Sequence, residues 1–212
     1  MAASAADKVR VAGICGSLRS ESYTRMALRV ALRGAEEAGA EAQLIDLRDY
    51  QLVFCDGGDR GNDLPKDVAR MRDEVKRAQG ILLATPEYHG GYSGVLKNAL
   101  DLMGFDEFEG KMIGLVGVSG GNMGAYGPLS ALRSVGRALH AWVVPEQAAV
   151  ANVDEVFDDK GKCKDEAIEK RLKAVGRQVA KFASLHNSEQ AREFLQFWEA
   201  AAENPGGDRL TR

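Results

Sequence analysis

Only three cysteines occur among the 212 residues, Cys15, Cys55 and Cys163, and no two of them form a Cys-x-x-Cys pair. Such spacing excludes a zinc knuckle and a disulfide framework, and it leaves three reduced thiols in a reducing compartment. Long apolar runs are missing as well; the longest fall far short of a membrane span, so no membrane partner is expected. Residues 1–7 are small and polar and lack the apolar core of a secretory signal. A cytoplasmic protein is expected, or an organellar one if a leader has been removed. An excess of one charge is also absent. Lys and Arg number 28 against 31 Asp and Glu, a formal net charge of −3. That balance argues against nucleic acid as a partner, because such proteins carry a basic face.

The residues that are present alternate between strand and helix patterns from end to end. Strands are expected over 9–15, 42–47, 81–84, 112–118 and 142–144. Helices are expected over 22–38, 67–79, 93–103, 128–140, 166–186 and 188–202. In the last of these, Ser188 is the cap and Phe194, Leu195, Phe197 and Trp198 are apolar contacts. A polar, glycine-rich loop covers 55–65, and 203–212 reads as a disordered tail. The fold class is α/β: a doubly wound, five-stranded parallel sheet of order 2-1-3-4-5 with helices on both faces. One domain is expected, a body over 1–187 with a C-terminal helical extension over 188–212.

In such a sheet the loops after the first, third and fourth strands meet at the carboxyl edge, where an open α/β sheet places its ligand. The first loop runs Gly16-Ser17-Leu18-Arg19-Ser20-Glu21-Ser22-Tyr23-Thr24 into a helix. Its hydroxyls, amides and helix N-terminus suit a phosphate, with Arg19 available as a charged partner; a capped helix start with an incidental arginine is the plainer reading. The second holds Pro86, Glu87, Tyr88 and His89 ahead of Gly90-Gly91, a wall for a planar ring. Glu87 is either a catalytic acid or a solvated cap. His89 reads as wall or hydrogen-bonding group rather than proton carrier. The third loop offers Ser119, Gly120, Gly121, Asn122 and Gly124, either a sharp turn or a set of amides for ring carbonyls. Together they describe a phosphate at one end and a polar-edged aromatic ring at the other. Flavin mononucleotide (FMN) matches that description.

The phosphate loop Gly16-Ser17-Leu18-Arg19-x-x-Ser22 resembles the G-S-x-R-x-x-S motif of the NADPH-dependent FMN reductase family. Pro86-Glu87-Tyr88-His89, followed by Ser93-Gly94-Val95-Leu96-Lys97-Asn98-Ala99-Leu100-Asp101, is similar to that family's P-E-Y-N/H and G-x-L-K-N-A-x-D signature. The resemblance covers residues 9–182. It implies a flavodoxin-like fold, bound FMN, and two-electron reduction of flavins, quinones or related small-molecule acceptors by NADPH or NADH. A homodimer or homotetramer is implied too. Carried over by position, Ser17, Arg19, Ser22, Tyr23 and Thr24 hold the phosphate. Pro86, Glu87, Tyr88 and His89 line the ring, and the 119–124 loop meets its pyrimidine edge. Many relatives have asparagine where Thr24 stands.

On this reading the flavin carries the chemistry, with hydride delivered to its N5 and an acceptor following on the same face in ping-pong order. No protein nucleophile and no metal is required. The alternatives are a flavodoxin-like electron carrier without NADPH turnover, and a dinucleotide-binding dehydrogenase using Asp46 on a ribose. The latter lacks the G-x-G-x-x-G pattern. The apolar positions of the 93–103 helix suit a subunit interface or a core-packing face equally.

Overall fold

The structure is a computed structural model that describes residues 8–58 and 64–199; for Arg192, Leu195, Trp198 and Glu199 it describes the backbone alone. Five parallel strands form the sheet: β1 (Arg10–Cys15), β2 (Glu41–Asp46), β3 (Gly80–Tyr88), β5 (Met112–Val118) and β6 (Trp142–Val150). Their order is β2-β1-β3-β5-β6, with a two-residue strand β4 (Gly91–Tyr92) pairing antiparallel with β3. Setting β4 aside, this is the expected 2-1-3-4-5 arrangement.

Helices α1 (Tyr23–Glu37) and α7 (Glu166–His186) cover one face. The other carries α2 (Lys66–Lys76), α3 (Gly94–Asp101) and α5 (Tyr126–Ala138). Short helices α4 (Phe105–Phe108) and α6 (Val153–Val156) escape the sequence periodicity because a single turn shows none; α8 (Glu189–Glu199) follows α7. No helix among the described residues is long and apolar enough to cross a membrane.

Several expected boundaries move. Strand β3 continues through the loop expected after Ala84, because Glu87 and Tyr88 pair with Tyr92 and Gly91. His89 and Gly90 both have positive φ, 52° and 76°, the two-residue hairpin geometry whose twist matches its flanking strands. The last strand extends to Val150 rather than stopping at Val144. Its register shifts near Pro145, and Arg133 takes up the interrupted carbonyls of Val144 and Pro145 at 3.2 and 2.9 Å. Helix α2 ends at Lys76, not at Gln79, since Gln79 donates its amide to Arg10 O on β1. Helix α5 begins two residues early and ends at Ala138. Ser188 does cap α8, accepting from Ala191 N at 3.2 Å. The expected contacts of Phe194 and Phe197 are not made: these rings are 64% and 79% exposed. The side chains of Leu195 and Trp198, residues 59–63 of the polar loop and the end of the last helix with its tail lie outside the described residues.

The α3 positions resolve toward packing within one chain. Leu96, Ala99 and Leu100 are buried against β3 and β5 residues such as Leu83 and Leu115. On the opposite face α1 and α7 approach until their backbones touch. A Cβ added at Gly176 would overlap the Ala31 carbonyl oxygen. On the same face Gly114 of β5 admits Val175 and Val179 of α7, and Gly80 of β3 admits Val179. Gly176→Ala should therefore lower unfolding free energy by about 2–3 kcal/mol or more, since neither backbone can yield. Gly94→Ala, with nothing within 4 Å of its added carbon, should change it by less than about 1 kcal/mol; urea denaturation measures both.

Lys111 ties two elements below the sheet, donating from Nζ to the Val75 and Lys76 carbonyls at 2.8 Å each. Desolvation by burial pulls its pKa down to about 8, with Lys76 adding to the depression and Glu107 opposing it. Unfolding restores the ordinary lysine value, so between about pH 8 and pH 10.5 the unfolded chain binds more protons. The Lys111 contribution to stability should thus rise with pH across that window. Unfolding free energies at stepped pH should show this component in the parent chain and lose it in Lys111→Met.

Candidate functional site: an anion cradle at the carboxyl edge

Where β1 ends, Gly16 donates its amide to Ala84 O at 2.8 Å and accepts from Ser93 Oγ at 2.6 Å. A Cβ there would sit 2.8 Å from Leu96 Cβ and 2.9 Å from Ala84 O, so the close approach needs glycine. Ser93 Oγ also accepts from Leu96 N at 3.2 Å and caps α3, while Ser93 N donates to Thr85 Oγ1 at 2.9 Å. One buried serine thereby joins the first loop, the second loop and the helix after it.

Above this junction lies a small polar pocket of about 100 Å³ at the N-terminus of α1. Ser17, Arg19, Ser22, Tyr23 and Thr24 line it from the first loop, Pro86, Glu87 and Tyr88 from β3, and Ser119 and Gly120 from the third loop. Three segments more than 30 residues apart thus converge as the sequence pattern requires. His89, Gly121, Asn122 and Gly124 do not line it. His89 is exposed at the hairpin tip, and the loop after Gly120 is occupied with itself, Gly121 N donating to Ser119 Oγ at 3.1 Å and Gly121 O accepting from Asn152 N at 3.3 Å. Glu21, Val118 and Val153 line the pocket unforeseen; no motif marks them, and Val153 arrives from 30 residues downstream on α6.

The buried hydroxyls are oriented by their own backbone. Ser22 Oγ accepts from Arg25 N at 3.2 Å as the α1 cap, and Ser17 Oγ accepts from Arg19 N at 3.4 Å. The Ser17 hydroxyl proton remains available to an anion, while the Ser22 hydroxyl also interacts with the Cys15 thiol beneath it. The first-turn amides of Tyr23 and Thr24 have no acceptor within the helix, as at every helix start. The Tyr23 ring is steadied by stacking on Phe157, centroids 6.3 Å apart. Below the loop, burial raises the Cys15 thiol pKa, which keeps it a protonated packing group.

Arg25 is the residue the sequence pattern does not reveal. Its Nε and Nη2 engage Asp46 at 2.6 and 3.3 Å, a nearly buried pair. Burial works against the guanidinium charge, but Asp46 more than offsets it and the Arg25 pKa is raised. The same guanidinium donates to Arg19 O at 3.2 Å and Ser20 O at 3.1 Å. A trans peptide sets each carbonyl opposite the next amide, so Ser20 and Glu21 N–H turn away from Arg25. Neither amide has a partner among the described residues. Asp46 is engaged by Arg25 and by Arg48 N at 3.2 Å, which counts further against the dehydrogenase alternative that would set it on a ribose.

These groups favour a bound anion through amide and hydroxyl dipoles more than through net charge, because Glu21 and Glu87 stand opposite Arg19 in the lining. The volume holds a phosphate and not a whole flavin. Tyr88 of the β3 hairpin and the Ser119–Gly120 turn stand at the pocket's rim.

Comparison with known proteins agrees. Residues 9–155 match the model of the NADPH-dependent FMN reductase family. The chain belongs to that family. It is an NAD(P)H-dependent flavin oxidoreductase that works with FMN. Among curated proteins it is similar to the FMN-dependent NADPH-azoreductase of Staphylococcus aureus, 34% identical over 151 residues, which are 70% of this chain and 80% of that one. In fold it is similar to the flavoenzyme NAD(P)H:(acceptor) oxidoreductase FerB from Paracoccus denitrificans. The TM-score is 0.70 at 24% identity, over 84% of this chain and 98% of the other. A flavodoxin from the Archaea shares the fold at a TM-score of 0.55 and 12% identity, over 82% and 97% of the two chains.

If Arg25 orients the phosphate-facing amides of this reductase, Arg25→Lys should lower affinity for FMN roughly tenfold, about 1.4 kcal/mol. It keeps the charge beside Asp46 but cannot fork to two carbonyls and a carboxylate. Riboflavin, which has no phosphate, should bind parent and variant alike; flavin fluorescence quenching compares them.

Proposed function

We propose that this reductase uses NADPH or NADH to reduce small flat acceptors, quinones, free flavins or azo compounds, from an FMN seated in the cradle. The convergence of three loops on one preformed anion pocket carries the reading. Ser17, Ser22 and Thr24 hydroxyls, with the amides of Ser20, Glu21, Tyr23 and Thr24, would hold the phosphate, and Arg19 would close on it from the exposed side. Pro86, Glu87 and Tyr88 would border the ring along one edge. Ser119 and Gly120 would face its polar edge, with His89, Gly121, Asn122 and Gly124 at the periphery.

When bound, FMN supplies the electron chemistry, taking reducing equivalents from the nicotinamide and passing them to the acceptor. The protein's part is placement. The rigid β3 hairpin holds one side of the ring site and the self-bonded 119–124 turn the other, which leaves one open face for donor and acceptor to use in turn. Amides aimed at the ring's polar edge would stabilise negative charge that builds there. A homodimer or homotetramer accompanies this reading, supported by the exposed Phe182, Leu185, Phe194 and Phe197 at the end of α7 and on α8. A cytoplasmic location is supported by three thiols free of disulfides.

The purified protein mixed with FMN should show perturbed flavin absorption bands and should oxidise NADPH with menadione or a sulfonated azo dye, giving parallel double-reciprocal lines. Flavin binding without turnover would favour an electron carrier, and absence of flavin binding would defeat both readings.

A further inference from the structure

Beside the cradle, on the far side of Tyr88, lies a larger groove of about 700 Å³. Leu18, Leu47, Leu52, Phe54, Tyr88 and Val95 give it an apolar lining. Its outer wall is pinned in place. Asn98 donates from Nδ2 to Val53 O and accepts from Cys55 N at Oδ1, both at 2.9 Å. The groove is therefore preformed, as small-molecule sites usually are.

Arg48 lines this groove, and no carboxylate pairs with it among the described residues. The structure records one hydrogen bond from its guanidinium, a long 3.5 Å contact from Nη1 to Ser20 O. Neighbouring arginines differ: Arg25 is held by Asp46, and Arg70 is occupied by Asp67 and the Tyr50 ring. The groove thus combines flat apolar walls with a single uncommitted guanidinium, and Tyr88 is common to it and to the cradle. A ligand lying in it reaches the flavin site.

We propose that this groove takes the adenosine end of NADPH, with Arg48 pairing its 2′-phosphate, so that Arg48 sets the preference for NADPH over NADH. The inference rests on the reductase reading. Charge selects the occupant: the 2′-phosphate is a near-dianion that a guanidinium binds in a forked manner, whereas a quinone acceptor carries no such group. The adenine has aromatic surface to offer to Phe54 and Tyr88. The two halves of the nucleotide would then meet on either side of Tyr88.

The test uses the FMN-loaded protein and its Arg48→Ala variant. Calorimetry should show adenosine 2′,5′-bisphosphate binding the parent roughly tenfold more tightly than 5′-AMP, and the variant should lose that difference. In steady-state assays the ratio of kcat/KM for NADPH to that for NADH should fall by a similar factor. An unchanged ratio, or bisphosphate and AMP bound alike by the parent, would overturn the assignment. So would a loss of FMN affinity in the variant, which would place Arg48 at the flavin phosphate instead. Hydrogen-exchange protection of residues 47–54 that grows with protein concentration and ignores the bisphosphate would give the groove to a second copy. Failure of the reductase reading is distinguishable: the parent would bind the bisphosphate and yet not oxidise NADPH.

Discussion

The buried hydroxyl of Ser93 is the point on which the site depends. It donates to Gly16 O and caps α3, while its own amide is held by Thr85. Three backbone segments that no local preference would bring together are fastened there by hydrogen bonds shielded from water. A buried polar group is costly to leave unpaired, so the three segments hold one arrangement rather than a family of them. Gly16 completes the constraint by letting β1 approach α3 without a side chain between them. Everything above it, the cradle, the hairpin and the groove beyond Tyr88, takes its position from that junction.

The cradle's electrostatics are subtler than a count of charges suggests. Arg25, in the first turn of α1, is nearly buried, yet its charge is matched by Asp46, and it reaches the first loop through the backbone carbonyls of Arg19 and Ser20. Arg19 is the cation that faces the pocket, opposed by Glu21 and Glu87. An anion placed here would therefore rely on fixed dipoles at a helix start, which would lose little entropy on binding because the scaffold has ordered them already. The same economy of charge makes Arg48 conspicuous, since no carboxylate among the described residues pairs with it.

Opposite the site, the glycine contact between α1 and α7 draws these helices together on one face of the sheet. The turn proposed to hold the phosphate is the start of α1, so a helix clamped along its length presents its first-turn amides from a rigid mount. Helix α8 departs from this economy. Its Phe194 and Phe197 are exposed to solvent and line neither the cradle nor the groove beyond Tyr88.

Strand order, the alternation of layers and the three loops that converge at the carboxyl edge were legible in the sequence, because period-two and period-3.6 patterns and the serine-rich and glycine-rich motifs are local signals. Ser17, Arg19, Ser22, Tyr23, Thr24, Pro86, Glu87, Tyr88, Ser119 and Gly120 do meet in one pocket. The tertiary structure alone decided the remainder. Arg25 and Asp46 are 21 residues apart and find each other only when α1 packs beside β2. Asp46 looked like a ribose acceptor because its place at a strand end is visible while its partner is not. The α3 face looked equally suited to an interface or a core until the sheet stood against it. His89 fell outside the pocket because a two-residue hairpin turned it outward. Sequence determines what each segment prefers and which groups it carries; which of those groups are spent on one another depends on contacts between distant segments, and those exist only once the chain has packed.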